Sequence, residues 1–237
     1  MRSIHDYGAL PSQHAELFLP DGGPPCGTAV LIHGGFWRDR YDRHLMDGLG
    51  ADLAEGGWAA WNLEYRRVGD DGGGWPMTFD DVRAGIEALT SVDVLPLDRV
   101  VTIGHSAGGH LALWAARTVP GITSVVSLAG VTDLRRAFDL QLSSNATGGF
   151  LGGSPVDVAE RYDAASPMAL LPLAVPALLV HGDRDENVPV ELSVSFAQAA
   201  HAAGDDVGLV IRPGVDHFEV IDPSGESWRI VMDWLRD

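Results

Sequence analysis

The sequence contains no lysine, and all 16 of its basic residues are arginine. Chemistry that proceeds through a lysine Schiff base is therefore excluded. Cysteine is almost absent too, since the single thiol of Cys26 can form neither an internal disulfide nor a cluster of zinc thiolates. The longest apolar run, 168–180, has 13 residues and contains two prolines, so it is too short to cross a bilayer as a helix.

Positive charge is scarce in this chain. Its 33 acidic and 16 basic residues give a formal net charge of −17 at pH 7. Nucleic acids and anionic membrane surfaces are bound through clustered positive charge, so neither is an expected partner. Residues 1–16 lack the apolar core of a secretory signal peptide. We therefore expect a soluble, cytoplasmic protein whose partner is a small molecule.

Short β-branched runs alternate with longer amphipathic segments along all 237 residues. The predicted strands are 14–19, 28–33, 58–63, 99–104, 122–128, 177–181 and 207–212. The predicted helices are 42–55, 79–91, 107–118, 189–203 and 224–236. This alternation predicts an α/β fold over 1–237, a single domain with a mostly parallel, doubly wound sheet. The Ser- and Gly-rich stretch 131–167 interrupts the pattern, and we expect it to pass over the carboxyl edge of the sheet, where such folds bind ligands.

One serine lies at the junction of a predicted strand and a predicted helix. Gly104, His105, Ser106, Ala107 and Gly108 fit the pattern G-x-S-x-G, the nucleophile elbow. There a sharp turn exposes the serine hydroxyl beside free backbone amides at the positive end of a helix. Because the strand and the helix stand in the required order, we predict that Ser106 is a nucleophile.

A second glycine-containing turn follows the strand at 28–33. It reads His33-Gly34-Gly35-Phe36-Trp37, and its glycines allow backbone amides to approach a ligand closely. A tetrahedral acyl intermediate carries negative charge on oxygen and needs fixed hydrogen-bond donors. We expect the amides of Gly35, Phe36 and Ala107 to form this oxyanion hole.

A nucleophilic serine needs a base, and the base needs a carboxylate that orients it. In proteins with a nucleophile elbow, the three residues follow one another along the chain in the order serine, acid, histidine. His217 lies in a Gly-containing loop after the last predicted strand, whereas His201 lies within a predicted helix, so we assign the base to His217. Asp185, in a loop after strand 177–181, is the preferred acid, with Asp183 as its rival.

Aromatic side chains near the strand ends are candidates for the wall of a substrate pocket. Phe36 belongs to the oxyanion loop already described. The further candidates are Trp37, Tyr65, Trp75, His105, Phe150 and Phe218. For Tyr65 the alternative is a structural role, together with an adjacent Arg66 held in a buried ion pair. No spacing of His, Asp and Glu suggests a metal site, and no cofactor is expected.

These motifs resemble those of the α/β-hydrolase superfamily, and specifically of its small serine esterases. HGGFW at 33–37 is similar to the oxyanion loop of kynurenine formamidases (arylformamidases), and to the HGGG loop of lipase-type esterases except for Phe36. The stretches 104–116, 150–167 and 181–189 resemble acetyl-xylan and feruloyl esterases and prolyl-oligopeptidase-like proteins. The resemblance covers about 28–234 and implies an α/β-hydrolase fold without a large cap domain.

The resemblance assigns the same roles as the residues do, with Ser106 as nucleophile, Asp185 as acid and His217 as base. We therefore expect a serine carboxylesterase acting on small acyl esters. The alternative within the same chemistry is an arylformamidase, which hydrolyses an N-formyl aromatic amide. The alternative of another class is a non-catalytic module that binds a small ligand. The oligomeric state cannot be read from the sequence.

Overall fold

A computed structural model describes residues 1–69 and 72–236, so positions 70, 71 and 237 of the predicted domain lie outside it. Eight strands form one sheet in the order β1-β2-β4-β3-β5-β6-β7-β8. Their bounds are β1 Arg2–Asp6, β2 His14–Phe18, β3 Thr28–Ile32, β4 Ala59–Leu63, β5 Val100–His105, β6 Ser124–Leu128, β7 Ala177–Gly182 and β8 Val207–Arg212. From β4 to β8 all neighbours are parallel, and β1 and β2 are added antiparallel at one edge.

Eight α-helices lie between or after the strands in the described part of the chain. Their bounds are α1 Asp47–Glu55, α2 Met77–Glu87, α3 Ala107–Thr118, α4 Leu134–Asp139, α5 Leu142–Leu151, α6 Ala159–Ala165, α7 Glu191–Ala202 and α8 Glu226–Trp234. Short 3-10 turns occur at Arg43–Met46, Ala88–Ser91, Pro167–Leu170 and Glu219–Ile221. None of these helices combines the length and the apolarity that a membrane crossing requires.

The apolar strands are buried on both faces of the sheet. In β3, Val30 and Ile32 belong to one hydrophobic cluster while Ala29 and Leu31 belong to a second cluster on the other face. Every residue of β3, β4, β5 and β7 is buried. Continuous apolar runs rather than alternating ones are the expected signature of such strands, and this confirms the predicted α/β class.

Each of the seven predicted strands is present, with ends that differ by at most two residues. The five predicted helices are present too, and α3 has the predicted bounds. The strand β1 was not predicted, because it is an edge strand whose residues are mostly exposed and polar. In the stretch 131–167 the structure has three short helices, α4 to α6, where weak periodicity predicted irregular chain.

Candidate active site

Ser106 lies in the one-residue turn between β5 and α3. Its backbone has a positive φ, with φ 57° and ψ −119°, which is strained for a residue with a side chain. A Cβ on Gly104 would lie 2.0 Å from the carbonyl oxygen of Gly108, and a Cβ on Gly108 would lie 2.0 Å from that of Ile32. Glycine is therefore needed at both positions for the strand, the turn and the helix to pack this closely.

The oxyanion loop lies directly beside this turn. The strand β3, which precedes the loop, pairs with β5 and places Ile32 opposite Gly104. A Cβ on Gly34 would lie 2.9 Å from the Cβ of Ser106. The loop turns sharply, since Gly35, Phe36 and Trp37 all have positive φ.

The amides predicted to stabilise an oxyanion are free of protein partners. Within the described residues, the backbone N–H groups of Gly35, Phe36 and Ala107 donate to no acceptor. Ala107 is the first residue of α3, where the helix dipole adds partial positive charge. Unsatisfied amides around a serine hydroxyl can accept the negative charge of a tetrahedral intermediate.

A buried ion pair braces the oxyanion loop from behind. Nδ1 of His33 donates to the carbonyl oxygen of Gly34 at 2.8 Å, and Nε2 donates to Oε1 of Glu64 at 2.9 Å. Burial raises the pKa of the Glu64 carboxyl, but the charge and hydrogen bond of His33 and the backbone amide of Arg43 outweigh it and lower that pKa to about 2. The ring of His33 also stacks on Tyr65, with centroids 4.3 Å apart.

The loops after β7 and β8 bring the predicted acid to the predicted base. Nδ1 of His217 donates to Oδ2 of Asp185 at 2.6 Å, and the Asp185 side chain has no exposed surface. This bond leaves Nε2 of His217 available in the cleft that Ser106 also lines. Within the described residues, neither Nε2 nor the Ser106 hydroxyl makes a hydrogen bond. A hydrogen bond between a catalytic serine and its histidine often forms or shortens only when substrate is bound.

Asp185 is held ionised by its neighbours. Its Oδ1 accepts the backbone amides of Asn187 and Val188 at 2.8 Å each. Nε2 of His181 lies 3.2 Å from Oδ2. Burial raises the pKa of this carboxyl, but the hydrogen bonds from His181, His217 and Val188 outweigh burial and hold the pKa below its ordinary range. An ionised Asp185 holds the orientation of the His217 ring through this hydrogen bond.

A second histidine connects the loop that carries His217 to the turn that carries Ser106. Nε2 of His105 donates to the backbone carbonyl of His217 at 2.8 Å, and the two rings are 4.6 Å apart. Burial, followed by the nearby His217, lowers the pKa of His105 to about 3. The neutral ring can therefore keep donating this hydrogen bond throughout the physiological pH range.

Two further carboxylates near the candidate site, Asp183 and Asp216, make structural contacts of their own. Oδ1 of Asp183 accepts the amide of Gly214 at 2.6 Å. Oδ1 of Asp216 accepts the amides of Phe218 and Glu219. Both side chains therefore stabilise the turns that carry Asp185 and His217.

A cleft of about 200 Å³ contains Ser106 and His217. Of the predicted pocket residues it is lined by Phe36, His105 and Phe218. It is also lined by side chains that the sequence did not identify, namely Arg38, Arg40, Tyr41, Leu45, Ser143 and Asn187. Ser143 belongs to the stretch 131–167 and lines the same cleft as Ser106 and His217.

Four aromatic residues predicted for the pocket wall lie elsewhere. Trp37 and Phe150 are buried and stack on each other with centroids 4.5 Å apart. Tyr65 is buried and donates to the carbonyl of His33 at 2.7 Å, which is the structural alternative considered for it. Trp75 packs edge-on against Phe79. Large aromatic rings gain the most free energy from burial in the core. For these four residues, burial therefore decided the position of the side chain, and the pocket prediction was wrong.

Two buried residues of the site were missed at the sequence level, namely Glu64 and His181. Each lies at or beside the carboxyl end of a strand, His181 within β7 and Glu64 directly after β4. A polar residue that interrupts an apolar run at that position is the signal that could have identified them. The predicted ion pair of Arg66 is present, with Asp81 at 2.7 Å.

Comparison with known families assigns most of the chain. The family model BD-FAE matches residues 16–200. Esterase LipC of Mycobacterium tuberculosis is 28% identical over 247 aligned residues, which cover 91% of this chain but only 59% of that protein. Kynurenine formamidase avaC of Aspergillus versicolor is 27% identical and is covered to 83%, with 84% of this chain aligned.

Solved structures of esterases have the same fold. A truncated carbohydrate esterase from gut microbiota matches all of this chain and 95% of its own, with a TM-score of 0.87 and 19% identity. Esterase B from Lactobacillus rhamnosis matches with a TM-score of 0.84, 21% identity and 84% of its own chain covered. At these identities the likeness establishes the α/β-hydrolase fold alone.

Proposed function

Since the chain belongs to the BD-FAE family of α/β-hydrolases, we propose that it is a serine esterase that cleaves small carboxylic esters through an acyl-enzyme. One observation carries the proposal. A strained serine and a histidine anchored to a buried carboxylate line one cleft, beside three unpaired amides. The esterase relatives, including LipC, support the same reaction class.

In the acylation step, Oγ of Ser106 attacks the ester carbonyl carbon while Nε2 of His217 takes the hydroxyl proton. The carbonyl oxygen becomes an oxyanion, which the amides of Gly35, Phe36 and Ala107 stabilise. The C–O bond to the leaving group then breaks, and the His217 imidazolium gives its proton to the departing oxygen. Asp185 remains ionised throughout and stabilises the charged ring.

In the deacylation step, water takes the place of the leaving alcohol. Nε2 of His217 removes a proton from water, and the resulting hydroxide attacks the carbonyl carbon bound to Ser106. The second tetrahedral intermediate uses the same three amides. The carboxylic acid leaves as the proton returns to Oγ of Ser106, which restores the starting state. The cycle needs no metal or cofactor.

The cleft favours a small substrate. Its volume of about 200 Å³ is below the roughly 300–1,000 Å³ of pockets for drug-sized ligands. Short acyl chains are therefore the expected substrates. A cytoplasmic location is part of the same proposal.

An arylformamidase is the second candidate. It is favoured by the HGGFW loop and by the relative avaC, a kynurenine formamidase of which 83% is covered. The same triad would attack a formamide carbonyl and protonate an aromatic amine instead of an alcohol. The two candidates differ only in the leaving group, so a substrate comparison separates them.

The test compares 4-nitrophenyl esters from acetate to decanoate with N-formylkynurenine. We expect the highest kcat/KM with the short esters, and no turnover of any substrate by Ser106→Ala. A fluorophosphonate probe should label Ser106 in the wild-type chain and not in the variant. If only N-formylkynurenine were hydrolysed, the protein would be assigned as an arylformamidase and not as an esterase. Absence of both turnover and labelling would favour the non-catalytic module.

A further inference from the structure

The charge of the cleft is opposite to that of the chain. The protein has a formal net charge of −17, yet among the residues that the structure describes, two arginines, Arg38 and Arg40, line the cleft and no carboxylate does. Asp185 lies behind His217 with no exposed surface. A cleft of one sign within a surface of the other concentrates ligands of opposite charge. This contrast points to an anionic substrate.

Neither arginine forms an ion pair with a carboxylate of residues 1–69 or 72–236. The guanidinium of Arg38 is held by Ser143, whose Oγ and carbonyl oxygen accept at 3.2 and 2.9 Å. Arg40 is exposed, and within the described residues its guanidinium makes no ion pair or hydrogen bond. Both cations therefore remain free to interact with a negatively charged group in the cleft.

A row of side chains connects Arg40 to the base. The guanidinium of Arg40 lies 5.4 Å from the ring centroid of Tyr41, which is 6.1 Å from that of Phe218. Phe218 is the neighbour of His217, and their rings are 5.3 Å apart. His217 protonates the leaving group, so this row borders the leaving-group side of the cleft.

The position of Tyr41 is fixed. A Cβ on Gly35 would lie 3.2 Å from its ring and 3.3 Å from its Cβ, so Tyr41 packs directly over the oxyanion loop. Its carbonyl oxygen accepts from Arg67 at 2.6 Å. An aromatic wall next to a free guanidinium suits a flat leaving group that carries a carboxylate.

We propose that this cleft selects esters or amides whose leaving group carries a carboxylate, which Arg40 binds with the assistance of Arg38. The inference rests on the proposed function and adds the charge and position of the substrate group. Arg40 is a specificity residue in this account, because it contacts the leaving group without taking part in bond breaking.

The test uses acetyl esters of three phenols that differ in one para substituent. They are 4-acetoxybenzoate, the neutral 4-acetoxybenzamide, and the cationic 4-acetoxyphenyl-trimethylammonium. A fourth ester, monophenyl succinate, has its carboxylate on the acyl side. The substrates differ in intrinsic reactivity. The quantity compared between variants is therefore a ratio, namely kcat/KM for a charged ester divided by kcat/KM for the neutral ester 4-acetoxybenzamide.

We expect the benzoate-to-benzamide ratio to fall about fivefold to tenfold in Arg40→Gln, which is the size of a partly exposed ionic contact. In Arg40→Glu it should fall further, and the ratio for the cationic ester should rise. The ratio for monophenyl succinate should change less than that for the benzoate. Arg117→Gln is the matched control, because Arg117 is an exposed arginine at the end of α3 that does not line the cleft. That variant should keep the wild-type ratios.

A measurement on the wild type alone provides a second test. Raising the ionic strength from about 0.01 M to about 1 M should lower the benzoate-to-benzamide ratio toward that of Arg40→Gln, because salt screens exposed charges. The proposal is overturned when all esters are hydrolysed but the ratio changes with neither salt nor Arg40. A change confined to monophenyl succinate would also overturn it. Loss of all turnover together with absent fluorophosphonate labelling would instead reject the proposed function.

Discussion

His105 and His217 are 112 positions apart in the chain, yet a hydrogen bond of 2.8 Å joins Nε2 of the first to the backbone carbonyl of the second. His105 is the last residue of β5 and directly precedes Ser106. The contact therefore connects the turn that carries Ser106 to the loop that carries His217, the candidate base. It fixes the separation of the two reacting groups through the backbone rather than through their own side chains.

The first prediction concerns this contact. His105→Phe keeps a buried ring but removes the donor, so the carbonyl of His217 loses its partner at a cost of about 1–3 kcal/mol. We expect kcat with 4-nitrophenyl acetate to fall roughly tenfold or more, with a smaller change in KM. His105→Gln, which can still donate, should recover part of the loss. Equal losses in both variants would mean that packing alone explains the role of His105.

The second prediction separates the assigned acid from its rival. Asp185→Asn cannot accept the Nδ1 proton of His217 as a charged partner, so kcat should fall by about four orders of magnitude. Asp183→Asn is the matched control, because the Asp183 carboxylate accepts a hydrogen bond from the backbone amide of Gly214 and does not line the described cleft. Its kcat should fall less than about fivefold. If steady-state assays showed the larger loss of kcat in Asp183→Asn, the role of the acid would be assigned to Asp183 instead.

The third prediction concerns the close packing beneath the nucleophile. An alanine Cβ at Gly108 would lie 2.0 Å from the carbonyl of Ile32, so β3 and α3 would have to separate. We expect Gly108→Ala to lower the free energy of unfolding by about 3 kcal/mol or more, measured by urea denaturation. Gly149→Ala is the control within α5, since nothing lies within 4 Å of its added Cβ. That variant should be as stable as the wild type or slightly more stable. Equal stability of the two variants would contradict the packing argument.

The fourth prediction is a loss of stability in mild acid. Burial lowers the pKa of His105 to about 3 and that of His110 to about 4, from an ordinary 6.5. Between pH 6.5 and these lowered pKa values, the unfolded chain binds more protons than the folded chain does. The free energy of unfolding should therefore fall as the pH drops below about 6.5, by up to roughly 1.4 kcal/mol per pH unit for each histidine.

Below pH 4.5 a carboxylate adds to this loss. The pKa of Glu64 is lowered from 4.5 to about 2, so its stabilisation is complete above 4.5 and disappears as the pH falls through 2. Urea unfolding at stepped pH measures the profile. His110→Gln should reduce the slope between pH 6.5 and 4, whereas replacement of the exposed His201 should not. A flat wild-type profile in that range would contradict the prediction.

The fold was predictable because each strand carries its own signal. A strand buried on both faces needs a continuous apolar run, and β3, β5 and β7 have one. The edge strand β1 could not be predicted, since it pairs on one side only and its mostly exposed residues need no apolar pattern. The helices of 131–167 were missed because they are short and poorly amphipathic.

The candidate reactive groups could be chosen from the sequence for a similar reason. Ser106 follows from local backbone geometry, and Asp185 and His217 follow from their positions after successive strands. The cleft wall depends instead on how loops fold over each other. Tyr41 and Arg40 lie in a polar loop with no periodic pattern, and tertiary contacts such as the packing of Tyr41 on Gly35 place them at the cleft.

The order of strands in the sheet has a consequence for how this protein fails. Ser106 follows the central strand β5, whereas His217 follows β8, which has a single neighbour and several partly or fully exposed residues. Local unfolding begins where buried contacts are fewest. Detachment of this edge would displace His217 while the remaining sheet stayed intact. We therefore expect hydrolysis to be lost before the core of the sheet unfolds.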